Sequence, residues 1–231
     1  MNLKINLHFI IAITMVLFIT SSLINAQSTI IPLMQDGWVG GLSGNLGWDN
    51  YQVNASNSNF GVDSKTTGFN FTISSRNGRF VEDNAVIGFD LQWTDGNSTT
   101  TPQNISGSKS YTKERLGFIG LWMRYYIPFI GTGWAIYPEA SAGYGNFKRI
   151  NEETVNNNLI TKNNATADGF VYNVGFGATI FVSNNIAFEA TGRYQGGKLK
   201  GDYNLITETT DNLEIKLSNI DVLFGIMIYM R

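Results

Sequence analysis

The residues of this sequence that could carry chemistry are acidic and basic side chains in segments of otherwise alternating polarity. They are Asp90, Arg124, Glu139, Glu189, Arg193 and Asp221. Carboxylates that share a site can act as general acid and base. Here, however, carboxylates and arginines are mixed on one polar face, as expected of a network whose charges satisfy one another. We predict such a network, with Arg124 and Glu139 as an ion pair, and assign it no catalytic role.

Two residue types on which many catalytic and metal sites depend are nearly missing. The chain has one histidine, His8, and no cysteine. Because His8 lies in a segment that we expect to be removed, the mature chain would lack the general base that comparable barrel enzymes use. Disulfides and thiolate metal sites are excluded as well. The sequence therefore favours a non-enzymatic protein with no cofactor and no metal site.

The first 26 residues have the layout of a cleaved secretory signal. Lys4 precedes an apolar run from Phe9 to Ile19, and small and polar residues follow as far as Ala26. The alternative, a retained anchor, is disfavoured because the run is about half of the roughly 20 residues that a spanning helix needs. We predict a signal peptide over 1–26 and one domain over 27–231. Its 15 basic residues (16 less Lys4) against 18 acidic ones make nucleic-acid binding unexpected.

Eight segments of the mature chain alternate between apolar and polar residues, which predicts strands with two different faces. They cover 38–48, 67–75, 85–94, 115–127, 134–145, 170–182, 186–195 and 219–229. All six charged residues lie on the polar face, and Trp122 breaks the pattern in the fourth segment. A soluble barrel would hide its apolar face, whereas Arg or Lys facing lipid costs about 2–4 kcal/mol at mid-depth. We therefore predict an all-β, eight-stranded antiparallel up-and-down transmembrane β-barrel whose apolar face meets lipid.

The connections between these segments alternate in length. Those over 76–84, 128–133 and 183–185 are short, and those over 50–65, 95–114, 146–167 and 196–218 are long and polar. Outer-membrane barrels have short periplasmic turns and long external loops. Within the last connection, Tyr203–Ser218 has a hairpin pattern with a turn at 209–212. It predicts either a ribbon whose edge can pair with another chain or, equally, a solvated loop.

Two of the short turns share a motif, in which Phe-Val is followed by a polar turn ending in Asn. Its residues are Phe80, Asp83 and Asn84 in the first turn and Phe181, Asn184 and Asn185 in the second. We expect each Phe at the membrane interface, followed by a tight turn. With "RYYIP" at Arg124–Pro128, these motifs resemble the outer-membrane β-barrel (porin-family-like) proteins of Bacteroidota, small OmpA/OmpX-type barrels. The C-terminal Met230-Arg231 departs from the terminal aromatic usual in such barrels.

This resemblance implies an exported protein of the Gram-negative outer membrane. The leading interpretation is a structural or surface-interaction module that displays long external loops, contacts outer-membrane lipid and can meet a surface protein, with a monomer favoured. The first alternative is a narrow or gated channel for a small solute, although side chains can fill an eight-stranded interior. The second is a soluble periplasmic barrel that binds an apolar ligand.

Overall fold

Nearly all of the described chain is antiparallel β-sheet. The computed structural model describes residues 33–53, 64–102, 107–129, 131–156, 158–204 and 209–230; the expected signal peptide lies outside them. The strands are β1 Trp38–Val53, β2 Ser64–Glu82, β3 Ala85–Pro102, β4 Ser108–Tyr125, β5 Ile127–Phe129, β6 Trp134–Val155, β7 Asn158–Phe181, β8 Ile186–Asn204 and β9 Thr209–Met230. No helix within the described residues is long and apolar enough to span a membrane.

The strands close into a ring of eight, as the sequence predicts. Strands β1 to β4 pair in sequence order, as do β5 to β9, while β4 pairs with β6 and β1 pairs with β9. The short β5 continues β4 in the same register against β6, because Arg124 lies opposite Glu139 and Ile127 opposite Ile136. Only Tyr126 interrupts this strand, which the sequence predicted to be continuous. The fold is therefore a closed up-and-down barrel.

The two ends of the barrel differ. The turns at 83–84, 131–133 and 183–185 mark one end, called here the turn end, where both ends of the described chain also lie. At the opposite end, called here the ribbon end, the strands run far beyond the predicted segments. β6 and β7, for example, stay paired as far as Val155 and Asn158.

The prediction of four long loops is therefore wrong in large part. Most of 146–167 and 196–218 is paired strand. The ribbon formed by β8 and β9 exists, but Thr209 already pairs with Asn204, so the turn predicted at 209–212 is wrong as well. Asn and Thr alternate poorly with apolar residues, yet their backbones pair like any others, and this is why the alternation stops before the strands do.

Side chains fill the interior in three layers. An aromatic and aliphatic cluster closes the turn end and includes Phe80, Tyr126, Phe181 and Tyr229. A smaller apolar cluster lies towards the ribbon end, formed by Leu116, Phe118, Phe147, Ala167, Val171 and Leu199. Buried polar and charged side chains occupy the space between the two clusters. The outer wall, by contrast, carries large apolar side chains that are about half exposed, such as Leu121 at 63% and Phe89 at 59%.

Candidate functional site

The ionic layer between the two apolar clusters is the candidate site. Of the six charged residues singled out in the sequence, the structure places five among the buried residues, and the side chain of Asp221 is only 7% exposed. Alternation explains this placement, because all six lie on the strand phase that points away from the outer wall. The layer divides into an arginine–glutamate centre, an amide chain and a separate ion pair.

Arg124 is the middle of the centre. Its side chain is fully buried, and its Nη2 donates to Glu139 Oε2 at 2.8 Å while its Nη1 donates to Glu189 Oε1 at 2.6 Å. The same Nη1 donates to the Tyr126 hydroxyl at 2.7 Å. The guanidinium also lies over the ring of Tyr137, with 3.8 Å between Cζ and the ring centroid. A buried cation is tolerated here because two carboxylates and an aromatic face surround it.

Glu139 is the acceptor that joins three strands. In addition to Arg124, it accepts hydrogen bonds from Arg76 Nη1 at 3.1 Å and from Trp122 Nε1 at 3.2 Å. Trp122, which breaks the alternation of its segment, thus points inward and gives its one donor to this carboxylate. Two other nitrogens of Arg76, Nε and Nη2, have no hydrogen-bond partner within the described part of the chain. Glu139 is therefore the main partner of Arg76.

Tyrosines connect the centre to the turn end. The hydroxyls of Tyr137 and Tyr229 each donate to Glu189 at 3.3 Å, and those of Tyr126 and Tyr229 lie 2.9 Å apart. The Tyr229 ring packs on Phe181, with 5.0 Å between centroids. These rings belong at once to the apolar cluster and to the hydrogen-bond network, as buried tyrosines commonly do.

A chain of neutral side chains extends from Asp90 across the barrel. Asp90 accepts from Ser74 at 2.9 Å and from Ser141 at 3.0 Å, and Ser141 in turn accepts from Asn173 Nδ2 at 2.9 Å. Gln195 Nε2 donates to Asn173 at 3.1 Å and to Gln92 at 3.2 Å. The donors thus occupy the Asp90 carboxylate, which is an arrangement that holds a charge in place.

Arg193 and Asp221 form a pair of their own. Arg193 Nε donates to Asp221 Oδ1 at 3.0 Å, and Nη2 donates to Oδ2 at 2.5 Å. The two residues lie directly opposite each other on β8 and β9. This two-bond geometry is the strong form of an arginine–carboxylate contact.

The turn motifs bind both ends of the described part of the chain to the barrel. Asn84 has a φ of 70°, its carbonyl accepts from the backbone of Tyr126, and its backbone N–H donates to the carbonyl of Leu33. Asp83 accepts from the backbone N–H of Gln35. In the second motif, Asn185 Nδ2 donates to the carbonyl of Tyr229 at 2.6 Å, whereas Asn184 lies exposed in the turn.

The interfacial position predicted for the motif phenylalanines is wrong. Phe80 is 1% exposed and Phe181 is 5% exposed, and both belong to the interior cluster at the turn end. The physical reason is the strand phase: both residues share it with the inward-facing polar residues, so their rings close the barrel from inside.

Several members of the site were not predicted from the sequence. Arg76 was assigned to a connection, although it continues the inward phase of Thr72 and Ser74, and β2 runs on to Glu82. Following that phase for one more step would have identified it. Tyr126, Tyr137 and Tyr229 were missed because an inward tyrosine and an outward one look alike in an alternating pattern. Within the described residues, no group of three or more His, Cys, Asp or Glu could hold a metal ion.

Comparisons with known proteins find likeness only at the level of solved structures. No family model and no curated protein sequence matches the chain. Outer membrane protein OprG from Pseudomonas aeruginosa is similar over 87% of this chain and 100% of its own, at 12% identity and a TM-score of 0.47. Neisserial surface protein A covers 83% of this chain and 96% of its own, at 13% identity and a TM-score of 0.34. Ail of Yersinia pestis covers 85% and 100%, at 10% identity and a TM-score of 0.36.

Proposed function

We propose that this protein is a non-enzymatic barrel of the outer membrane, whose interior is structural and whose interactions take place at its ribbon end. The observation that carries the proposal is the inverted polarity of the barrel. The charged residues Arg76, Arg124 and Glu139 are buried inside, while large apolar side chains cover the outside. Water would disfavour such a wall, and lipid would favour it.

The dimensions of the wall support a membrane. Trp134 and Tyr144 face outward on β6, ten residues apart. With a rise of about 3.3 Å per residue and a tilt of about 40°, ten residues span about 25 Å, the height of the apolar band of such barrels. Aromatic residues are enriched at both edges of that band. The rest of β6, as far as Val155, would project beyond the membrane.

The filled interior argues against the channel alternative. A solute would have to pass the ring cluster at the turn end, the ionic layer and the apolar cluster around Phe118 and Leu199. Each layer is built of buried side chains. The soluble alternative is disfavoured by the same apolar wall that supports a membrane.

The seam between the first and last strands supports a role in surface interaction. β1 and β9 pair over seven residues each, from Trp38–Met230 to Gly44–Phe224. Beyond that point β9 stays paired with β8 but has no backbone partner on its other side among the described residues. A free strand edge accepts an extended strand of another protein by backbone hydrogen bonding.

Cell fractionation is the experiment that tests the membrane proposal. We expect the protein in the outer-membrane fraction, extractable only with detergent, and with a gel mobility that changes on heating. Recovery in the soluble periplasm without detergent would overturn the proposal. In planar bilayers we expect no steady conductance steps, and their appearance would favour the channel instead.

A single-cysteine experiment tests orientation, because the natural chain has no cysteine that would react. We expect Cys in place of Lys216 on β9 to react with an impermeant maleimide on intact cells. Cys in place of Thr132, exposed at the turn end, should react only after the outer membrane is opened. The opposite labelling pattern would reverse the orientation.

A further inference from the structure

The outer wall contains an apolar groove of about 380 Å³. Ile73, Leu91, Trp93, Ile119 and Tyr144 provide large side chains around it, and Gly117 lies among them. Trp93 and Asn146 are the cross-strand partners of Gly117 on its two sides. The groove exists because the one residue at its centre has no side chain.

The space at Gly117 is open. A Cβ placed there would meet only ring carbons of Trp93, at 3.8 Å, which is ordinary contact distance. Glycine weakens a strand interior, and neither a positive φ nor a close backbone neighbour requires it at this position. Backbone conformation and packing would thus allow a side chain at Gly117, and its absence leaves room for a ligand seated against the wall.

Polar residues border the groove on the side towards the ribbon end. Arg115, two residues from Gly117 on the same face of β4, lies opposite Lys148 on β6. Arg115 is bonded to Asp95 at 2.7 Å, whereas no salt bridge of Lys148 is found among the described residues. Asn146 adds an amide at the edge of the groove, and its cross-strand partner is Asp168.

We propose that this groove binds one acyl chain of a phosphorylated membrane lipid, with the phosphate at Lys148 and Arg115. The apolar walls of the groove match the acyl chain of such a lipid, and the cations on the ribbon-end side match its anionic headgroup. Trp93 and Tyr144 lie where such rings prefer to sit, at the level of the headgroups. The inference rests on the proposed membrane function, since a soluble barrel would meet no bilayer lipid.

Native mass spectrometry of the detergent-purified barrel tests this, with dimyristoyl phosphatidylglycerol and dimyristoyl phosphatidylcholine as probes. We expect the wild type to retain one phosphatidylglycerol in preference to phosphatidylcholine. Gly117→Leu should reduce retention at least tenfold by filling the groove. The matched control is Gly192→Leu, because Gly192 also lies on the outer wall with open space at its Cβ, but far round the barrel on β8. Its retention should equal that of the wild type.

Lys148→Gln tests the proposed phosphate contact separately. We expect it to reduce phosphatidylglycerol retention to the level of phosphatidylcholine while leaving the latter unchanged. Both leucine variants should keep the heat-dependent gel mobility of the wild type, so lost retention is not misread as unfolding.

Equal lipid retention by the wild type and Gly117→Leu overturns the proposal. A dimer that Gly117→Leu abolishes overturns it as well, because the groove would then bind a second copy of the chain. If lipid retention depends neither on the headgroup nor on Lys148, the phosphate assignment is wrong. Failure of this site in a protein that fractionates with the membrane leaves the proposed function intact. Recovery of the protein in the soluble periplasm, by contrast, removes both proposals.

Discussion

Removing the charge of Glu139 should destabilise the barrel more than any single change to its surface charges. Glu139→Gln keeps the shape of the side chain but leaves Arg76 and Arg124 without their shared carboxylate. Breaking one partner of a buried ion pair typically costs about 3–5 kcal/mol. We expect a loss of unfolding free energy in this range, measured by urea unfolding in lipid vesicles.

The structure also predicts which second change restores stability. Arg124 keeps Glu189 at 2.6 Å after Glu139 is neutralised, whereas Arg76 keeps only Asp90, at 4.0 Å. Arg76 is therefore the charge left buried and unpaired, and adding Arg76→Gln should recover more stability than adding Arg124→Gln. Adding Arg124→Gln should recover little, because it leaves Glu189 without its arginine.

The control is an exposed pair of similar geometry. Arg149 and Glu114 lie 2.6 Å apart with side chains nearly half exposed. Exposed pairs contribute about 0.2–1 kcal/mol, so Glu114→Gln should cost no more than that. If Glu139→Gln costs as little as Glu114→Gln, or if the Glu139 and Arg76 changes simply add, the two residues are not coupled and the reasoning is wrong.

Three further predictions concern the network and the turns. Tyr126→Phe removes a hydroxyl that joins Arg124 to Tyr229, and should cost about 1–3 kcal/mol in the same urea assay, since buried polar partners are left unsatisfied. Asn84→Gly should be nearly neutral and Asn84→Val clearly destabilising in thermal unfolding, because the φ of 70° suits glycine and not a β-branched residue. Asp221→Asn should lower the unfolding temperature while Asp95→Asn, in an exposed pair, changes it little.

The strand phases were the part of the fold that the sequence predicted best. Ile87 to Trp93 alternate so regularly that their outward side chains could be read directly from the pattern. Strand ends were much harder to predict. Asn151 and Asn163 pair across β6 and β7 as regular ladder residues. No apolar alternation marks this part of the two strands, because both faces of the sheet meet similar surroundings there.

The members of the ionic layer were predictable, but most of its contacts were not. Arg124 and Glu139 could be paired from sequence because a short turn joins their strands, which fixes their register. The contact of Arg124 with Glu189 joins β4 to β8, and that of Arg76 with Glu139 joins β2 to β6. Such contacts depend on how far the whole sheet is sheared when it closes, a quantity that no single hairpin contains.

These cross-lumen contacts give the interior a role that neighbouring strands cannot fill. Backbone pairing fixes each strand against the next but leaves the cross-section of the ring free to flatten. In the order of the ring, β3 and β8 lie four positions apart, as do β4 and β9. Gln92 on β3 contacts Gln195 on β8 at 3.2 Å, and Tyr126, directly after β4, contacts Tyr229 on β9 at 2.9 Å. Hydrogen bonds between opposite walls at two depths keep the cross-section of the ring from flattening. The filled interior thus allows so narrow a barrel to carry long free ribbons at one end.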